Sequence, residues 1–323
     1  MTRVVRLLVL ALVAVGITLA PAGATAPPPG PALTVPEAQL AAAVSCDATA
    51  RSGNARQVVL LIPGTGATAE EAWAWNYERS LPAAGFGTCT VQLPERSLGD
   101  FTVSAQYAVY AARHAYQLSG KPIAILGHSQ GGLMAVWIAK FWPDVAAHAS
   151  DVIGLAADVR GTQLANTLCT AGSCAPIAWQ MARGSHLTNA ATNAPLPSGP
   201  AFTSIGSLTD EVVFPQPTVS SFPGVRATMV QDVCPVRVVD HGLLLADAVG
   251  YQLVLDALTH AGPAVAARVP RTTCLAVTMP GVDPLGATQF AQTVVALSLG
   301  LGDVPGYTTA ETPLPAYAQP YGG

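Results

Sequence analysis

Pro122 to Phe141 reads PIAILGHSQGGLMAVWIAKF, and the fold follows from how this stretch changes character along its length. Pro122 to Leu126 is a continuous apolar run of the kind that forms a strand buried on both faces. Gly127-His128-Ser129-Gln130-Gly131 interrupts it with small and polar residues. Gly132 to Phe141 then carries apolar side chains at helical spacing, with Pro143 just beyond as a stop. Strand, sharp glycine turn and helix make one α/β unit.

Upstream, Gln57 to Ile62 (QVVLLI) predicts a second buried strand, ended by Pro63-Gly64-Thr65-Gly66, and Thr88 to Leu93 a weaker one. Thr102 to Leu118 predicts a helix stopped by Gly120 and Pro122. Downstream, Val152 to Ala156, Phe202 to Ile205 and Arg226 to Val230 read as strands, and Gly242 to Leu258 and Ala287 to Leu301 as helices. The two element types alternate without an internal repeat or a mid-chain linker. The expected fold is therefore α/β, with a mostly parallel, doubly wound sheet flanked by helices in a single domain over residues 37–323.

The N-terminus reads differently. Met1 to Arg6 carries two arginines, Leu7 to Ala20 is uninterrupted apolar sequence, and Ala22-Gly23-Ala24 followed by Thr25-Ala26 offers small-residue cleavage positions. Fourteen apolar residues fall short of the roughly 20 that a spanning helix needs. The expectation is a signal peptide over residues 1–24, then a Pro/Ala-rich leader over 25–36. Secretion follows, with no transmembrane anchor after cleavage. Export also permits disulfides, and six Cys allow 15 pairings among which sequence alone does not choose.

Composition narrows the partners. The 323 residues are 50% hydrophobic and 11% charged, which argues for a well-buried globular chain and against disorder. There are 15 Lys and Arg against 19 Asp and Glu, and loss of Arg3 and Arg6 with the signal peptide moves the net charge from −4 to −6. Such a surface gives a phosphate backbone little to hold, so nucleic acid is not an expected partner.

Chemistry concentrates at the glycine turn. Gly127-His128-Ser129-Gln130-Gly131 is a GxSxG pentapeptide between strand and helix, the setting of a nucleophile elbow with Ser129 as the attacking hydroxyl. The backbone N–H of Gln130 is one oxyanion donor. Thr65, in the turn after the earlier strand, offers a second N–H and a hydroxyl, and losing such a donor costs on the order of 3 kcal/mol of barrier. In this fold class the acid and then the histidine follow the serine. His241, where an apolar strand end gives way to a loop, is preferred over His260, which ends a helix. Asp210 is preferred over the strand-end rival Asp158, while Asp232 and Asp240 read as solvated or structural.

These residues lie in stretches that resemble the secreted lipase B family of Candida antarctica and its bacterial relatives. The shared segments are Leu61-Ile62-Pro63-Gly64-Thr65-Gly66, Ser129-Gln130-Gly131-Gly132-Leu133, Ala157-Asp158-Val159-Arg160-Gly161-Thr162, Thr209-Asp210-Glu211-Val212-Val213 and Val239-Asp240-His241. A weaker match, Ala316-Tyr317-Ala318-Gln319-Pro320-Tyr321, extends the likeness to span about residues 35–321. The resemblance implies a monomeric α/β-hydrolase acting on fatty acyl esters, without metal or other cofactor. It implies Ser129, Asp210 and His241 as triad, Thr65 and Gln130 as oxyanion hole, and Asp158 on the acyl side of the pocket.

The resemblance also implies the disulfides Cys46–Cys89 and Cys234–Cys274. The family's third bridge has no counterpart here, whereas Cys169 and Cys174 are extra and pair most simply with each other. They fall where the family has a short mobile helix at the pocket mouth, which suggests a disulfide loop that stiffens or reshapes a lid. Gly127-His128 replaces bulkier residues, a tryptophan among them, so the yeast enzyme's alcohol selectivity is not implied. The expected partner is an ester or lipid, at a lipid–water interface if an apolar rim surrounds the pocket. The alternatives are a short-chain carboxylesterase or polyester hydrolase, an acyltransferase with the same machinery, or a secreted binding protein that keeps the fold without catalysis.

Overall fold

The computed structural model describes residues 27–53, 55–300 and 306–323. The expected signal peptide, the first two leader residues and Leu301 of the last predicted helix lie outside them. Among the described residues the strands form one sheet of seven: β1 (Val44–Cys46), β2 (Val58–Ile62), β3 (Gly87–Val91), β4 (Ile123–His128), β5 (Ala149–Leu155), β6 (Ala201–Gly206) and β7 (Thr228–Met229), in the order β1-β3-β2-β4-β5-β6-β7. Every pairing is parallel except β1 with β3.

The sheet separates two apolar layers because its strands alternate. Val58, Leu60 and Ile62 of β2 pack with Phe101, Trp137 and Ile138, whereas Val59 and Leu61 face Trp73, Tyr77 and Val254. All these side chains are fully buried or nearly so. Each large aliphatic one contributes about 1.5–3 kcal/mol by leaving water. Helix Phe101–Ser119 starts at Asp100, whose carboxylate accepts from the Thr102 N–H at 2.8 Å, and ends at Gly120 in the left-handed region.

Two expectations are corrected. Arg226 to Val230 forms only the two-residue β7, because Val230 already opens a short helix in which Asp232 accepts from the Met229 N–H. Gly242 to Leu258 is not one helix. Leu243–Leu245 is a 3-10 turn, and Asp247 caps a new helix, Ala248–Thr259, by accepting from the Val249 and Gly250 N–H groups. The leader residues from Pro29 onward lie against the domain, with the Pro31 carbonyl accepting from Trp142 Nε1 and Gln106 Oε1 accepting from the Val35 N–H. Among the described residues no helix is long and apolar enough to cross a membrane.

The strand order sets the place of the site. β3 lies on one side of β2 and β4 on the other, so the connections leaving β2 and β4 diverge at their carboxyl ends. A crevice opens at such a switch point. The Gly64 turn and Ser129 stand at its two edges.

Candidate active site

Ser129 has φ 56° and ψ −126°, a conformation that L residues rarely adopt and that costs about 1–3 kcal/mol. The surroundings impose it. Its N–H donates to the Leu155 carbonyl of β5 at 2.8 Å, and its carbonyl accepts from the Gly132 N–H at 2.8 Å. The flanking glycines are required by contact: a Cβ on Gly127 would run into the Gly131 carbonyl, and one on Gly131 into the Ile62 carbonyl of β2. That packing brings the start of helix Gln130–Phe141 against the end of β2 and turns the serine out of the sheet.

Two loops converge on it. Ser207 Oγ and Thr209 Oγ1 both donate to the Val239 carbonyl, at 2.7 and 2.8 Å, which ties the segment carrying Asp210 to the one carrying His241. Asp210 Oδ1 accepts from the Val212 and Val213 N–H groups at 2.9 and 2.7 Å. His241 Nδ1 lies 2.9 Å from Asp210 Oδ2, and the His241 N–H donates to Glu211 Oε2 at 3.1 Å. A carboxylate there fixes the proton on Nδ1 and leaves Nε2 as a base.

Electrostatics divide the buried groups. Burial pushes the Asp210 carboxyl up, but the His241 charge and hydrogen bonds outweigh it and hold Asp210 below the ordinary value. Burial pushes His241 down, while Asp210, Glu211 and Asp158 together hold it above the ordinary histidine value. Asp158 is buried with neither oxygen hydrogen-bonded among the described residues, and burial raises it to about 7. Thus Asp210, not the rival Asp158, is the carboxyl that meets the imidazole.

Ser129, His241, Thr65 and Asp158 all line one cavity of about 170 Å³. Thr65 Oγ1 donates to Gln130 Oε1 at 2.7 Å, so both expected oxyanion residues sit together beside the serine. Gln130 opens its helix, which leaves its backbone N–H without an intrahelical acceptor. The walls are apolar: Leu164, Leu168, Ile177 and Met181 on one side, Val213 and Phe290 on others. The first wall comes from helices Gln163–Leu168 and Pro176–Gln180, joined by the loop that the Cys169–Cys174 bond closes. Cys174 and Thr308 exchange two backbone hydrogen bonds, which anchor that loop. Cys46–Cys89 and Cys234–Cys274 are also bonded.

These features have counterparts in known proteins. The chain is 33% identical over 238 residues to lipase B of Pseudozyma antarctica, across 71% of this chain and 69% of that protein. The chain belongs to the lipase B family. Lipase B of Aspergillus fumigatus superposes on 90% of this chain and 74% of its own, with a TM-score of 0.78 and 26% identity. A Bacillus licheniformis lipase in its propeptide form shares the fold, with a TM-score of 0.53 at 12% identity over 69% of this chain and 54% of its own. No protein-family model matches the chain. As a member of the lipase B family it is a lipase/esterase-type hydrolase of the α/β-hydrolase superfamily.

The remaining histidines lie elsewhere, with one exception. His260 ends its helix beside Asp256, and His148 stacks on Tyr116. His128, the residue before the serine in the pentapeptide, lines the cavity and meets the His241 carbonyl through Nε2 at 3.1 Å. The strand period carried the signal: His128 follows Ala124 and Leu126 on the face of β4 that packs with Val239 and Leu244 around the His241 loop. Glu211 was likewise visible only as a neighbour of Asp210.

Proposed function

We propose that this chain is a secreted serine ester hydrolase that works through an acyl-enzyme on Ser129. The observation that carries the reading is His241, held by Asp210 on one ring nitrogen and lining the same cavity as Ser129. Nε2 of His241 takes the hydroxyl proton as Ser129 Oγ attacks the ester carbonyl. Thr65 and Gln130 donate to the resulting oxyanion. The imidazolium gives its proton to the leaving alcohol. Water then attacks the acyl-enzyme, with His241 again as base, and the acid departs. An alcohol in place of water gives transesterification. Asp158 occupies the acyl side. Export by the signal peptide suits the three disulfides.

A specific observation supports the short-chain esterase reading within this class. A cavity near 170 Å³ is about the size of one that admits a benzene-sized guest, so the enclosed part holds a short acyl chain. A longer chain has to run out over Leu168 and the disulfide loop. A fluorophosphonate probe combined with a chain-length series of p-nitrophenyl esters tests both levels. Labelling of the parent and not of Ser129→Ala is expected. Equal labelling of both overturns the assignment, and activity confined to acetyl and butyryl esters removes the lipase label in favour of a carboxylesterase.

A further inference from the structure

The turn that carries Thr65 is not held by its own backbone. Among the described residues the Thr65 N–H meets no protein acceptor, and both backbone hydrogen bonds of Gly66 go to one residue far along the chain, Arg96. The Gly66 N–H donates to the Arg96 carbonyl at 2.7 Å, and Arg96 Nε donates to the Gly66 carbonyl at 2.8 Å. These two groups belong to the peptide planes on either side of Gly66. Arg96 therefore fixes the left-handed φ of 78° at Gly66, and with it the plane that joins Thr65 to Gly66.

Arg96 is itself held from two directions. Its Nη2 lies 2.6 Å from Glu71 Oε2, and that oxygen also accepts from the Thr68 N–H at 2.8 Å, within the capping box that starts helix Ala69–Trp73. Glu95, Arg96 and Ser97 have φ of 50°, 53° and 61°, three successive non-glycine residues in the left-handed region that disfavours a Cβ. Such conformations persist where the surroundings over-determine them, and they cluster where geometry serves function. Here the strained run presents a carbonyl and a guanidinium to the same glycine.

An oxyanion hole works because its donors stand in place before the charge develops. A turn whose backbone bonds go only to Arg96 does not supply that order by itself. We propose that Arg96 is a positioning residue of the ester hydrolase, which clamps the turn after β2 and so holds the Thr65 N–H toward the oxyanion formed at Ser129. It acts through the Gly66 backbone and not on the substrate. Nε binds Gly66 while Nη2 binds Glu71, a division of labour that suits a guanidinium fork. The inference rests on the Ser129 ester-hydrolase reading and goes beyond it in naming what holds the oxyanion hole.

The test uses the full secreted chain with Arg96→Met and Arg96→Lys, p-nitrophenyl butyrate as substrate, and a trifluoromethyl ketone as inhibitor. Ser129 Oγ adds to the ketone carbonyl, its proton passes to His241, and the hemiketal oxyanion occupies the hole. Fluorophosphonate labelling taken to completion counts the folded enzyme, so misfolded molecules do not enter kcat. Arg96→Met is expected to lower kcat about tenfold with KM within about twofold, and to raise the ketone Ki by about the same tenfold, since only oxyanion stabilisation is lost. Arg96→Lys keeps the charge beside Glu71 without the Nε–H to Gly66, and is expected to fall nearly as far. An unchanged kcat in Arg96→Met, a loss carried by KM, a ketone Ki that does not move with kcat, or full activity in Arg96→Lys overturns the inference. A parent that neither hydrolyses the ester nor binds the ketone overturns the ester-hydrolase reading along with it.

Discussion

Asp210 and Asp158 border the same active-site region, both buried and both just past the end of a sheet strand, yet their surroundings set different charge states. Asp210 receives two backbone N–H groups and the His241 ring, and is held below the ordinary carboxyl value. Asp158 receives none of these and is raised to about 7. Burial is severe for both, so the adjoining His241 charge, and after it the hydrogen-bond partners, decide which carboxyl ionises. One group is built to hold a charge beside an imidazole. The other stays a neutral acid at the cavity wall until the pH passes neutrality.

Substitution offers the largest way to break that contrast. Asp210→Asn removes the charge that orients His241, and kcat for a p-nitrophenyl ester is expected to fall by about 10⁴-fold. Asp158→Asn keeps a neutral side chain of the same shape and is expected to stay within about tenfold of the parent. If the two variants lose activity equally, the division of roles fails.

Stability against pH separates them next. Asp158 binds a proton in the folded state at pH values where the unfolded chain, with an ordinary carboxyl, does not. The folded state is thus favoured less as pH rises from about 4 to about 7, by about 4 kcal/mol in all, with no further change above. Asp210 acts in the other sense, since its lowered value contributes stability that is lost only as pH falls through the folded-state value. Urea unfolding at pH 5 and pH 8 is expected to show the parent losing stability relative to Asp158→Asn, because His128 and His241 titrate in both proteins and only the Asp158 contribution differs. A parent whose stability changes with pH as the variant's does breaks the assignment.

The rate profile sharpens the Asp210 half. With His241 held above the ordinary histidine value, the acid limb of kcat/KM is expected above pH 6.5, since the ring must be neutral to accept a proton. In Asp210→Asn the residual activity should show that limb displaced to lower pH. A limb that does not move means that Asp210 acts by position alone.

Much of this was legible in the chain, and the reasons are local. The runs VVLLI and IAILGH are buried along their whole length, so strand and burial coincide without any long-range information. The glycines around Ser129 announce the turn because contacts within it exclude a Cβ. What was hidden depends on the partner across space. β1 is three residues long and exists through pairing with β3. The break before Ala248 depends on Asp247, whose cap also pairs with Arg237. Likewise, the absence of partners around Asp158 is a property of the assembled pocket, which no window of sequence contains.

The smallest effect concerns the wall facing these carboxyls. Removing Cys234–Cys274, with a sequence separation of 40, is expected to cost about 4 kcal/mol in the chain-entropy model, and removing Cys169–Cys174, with a separation of five, about 2 kcal/mol. The small loop therefore contributes less to folding than to the shape of the wall that carries Leu168 and Ile177. Because Thr308 also holds Cys174 through two backbone bonds, opening the disulfide frees the Leu168 end more than the Ile177 end. Cys169→Ser/Cys174→Ser is expected to leave butyryl ester hydrolysis within about twofold while changing the rate on long-chain esters, whose chains must cross Leu168. An equal change on both esters would place the loop's influence at Ser129 itself.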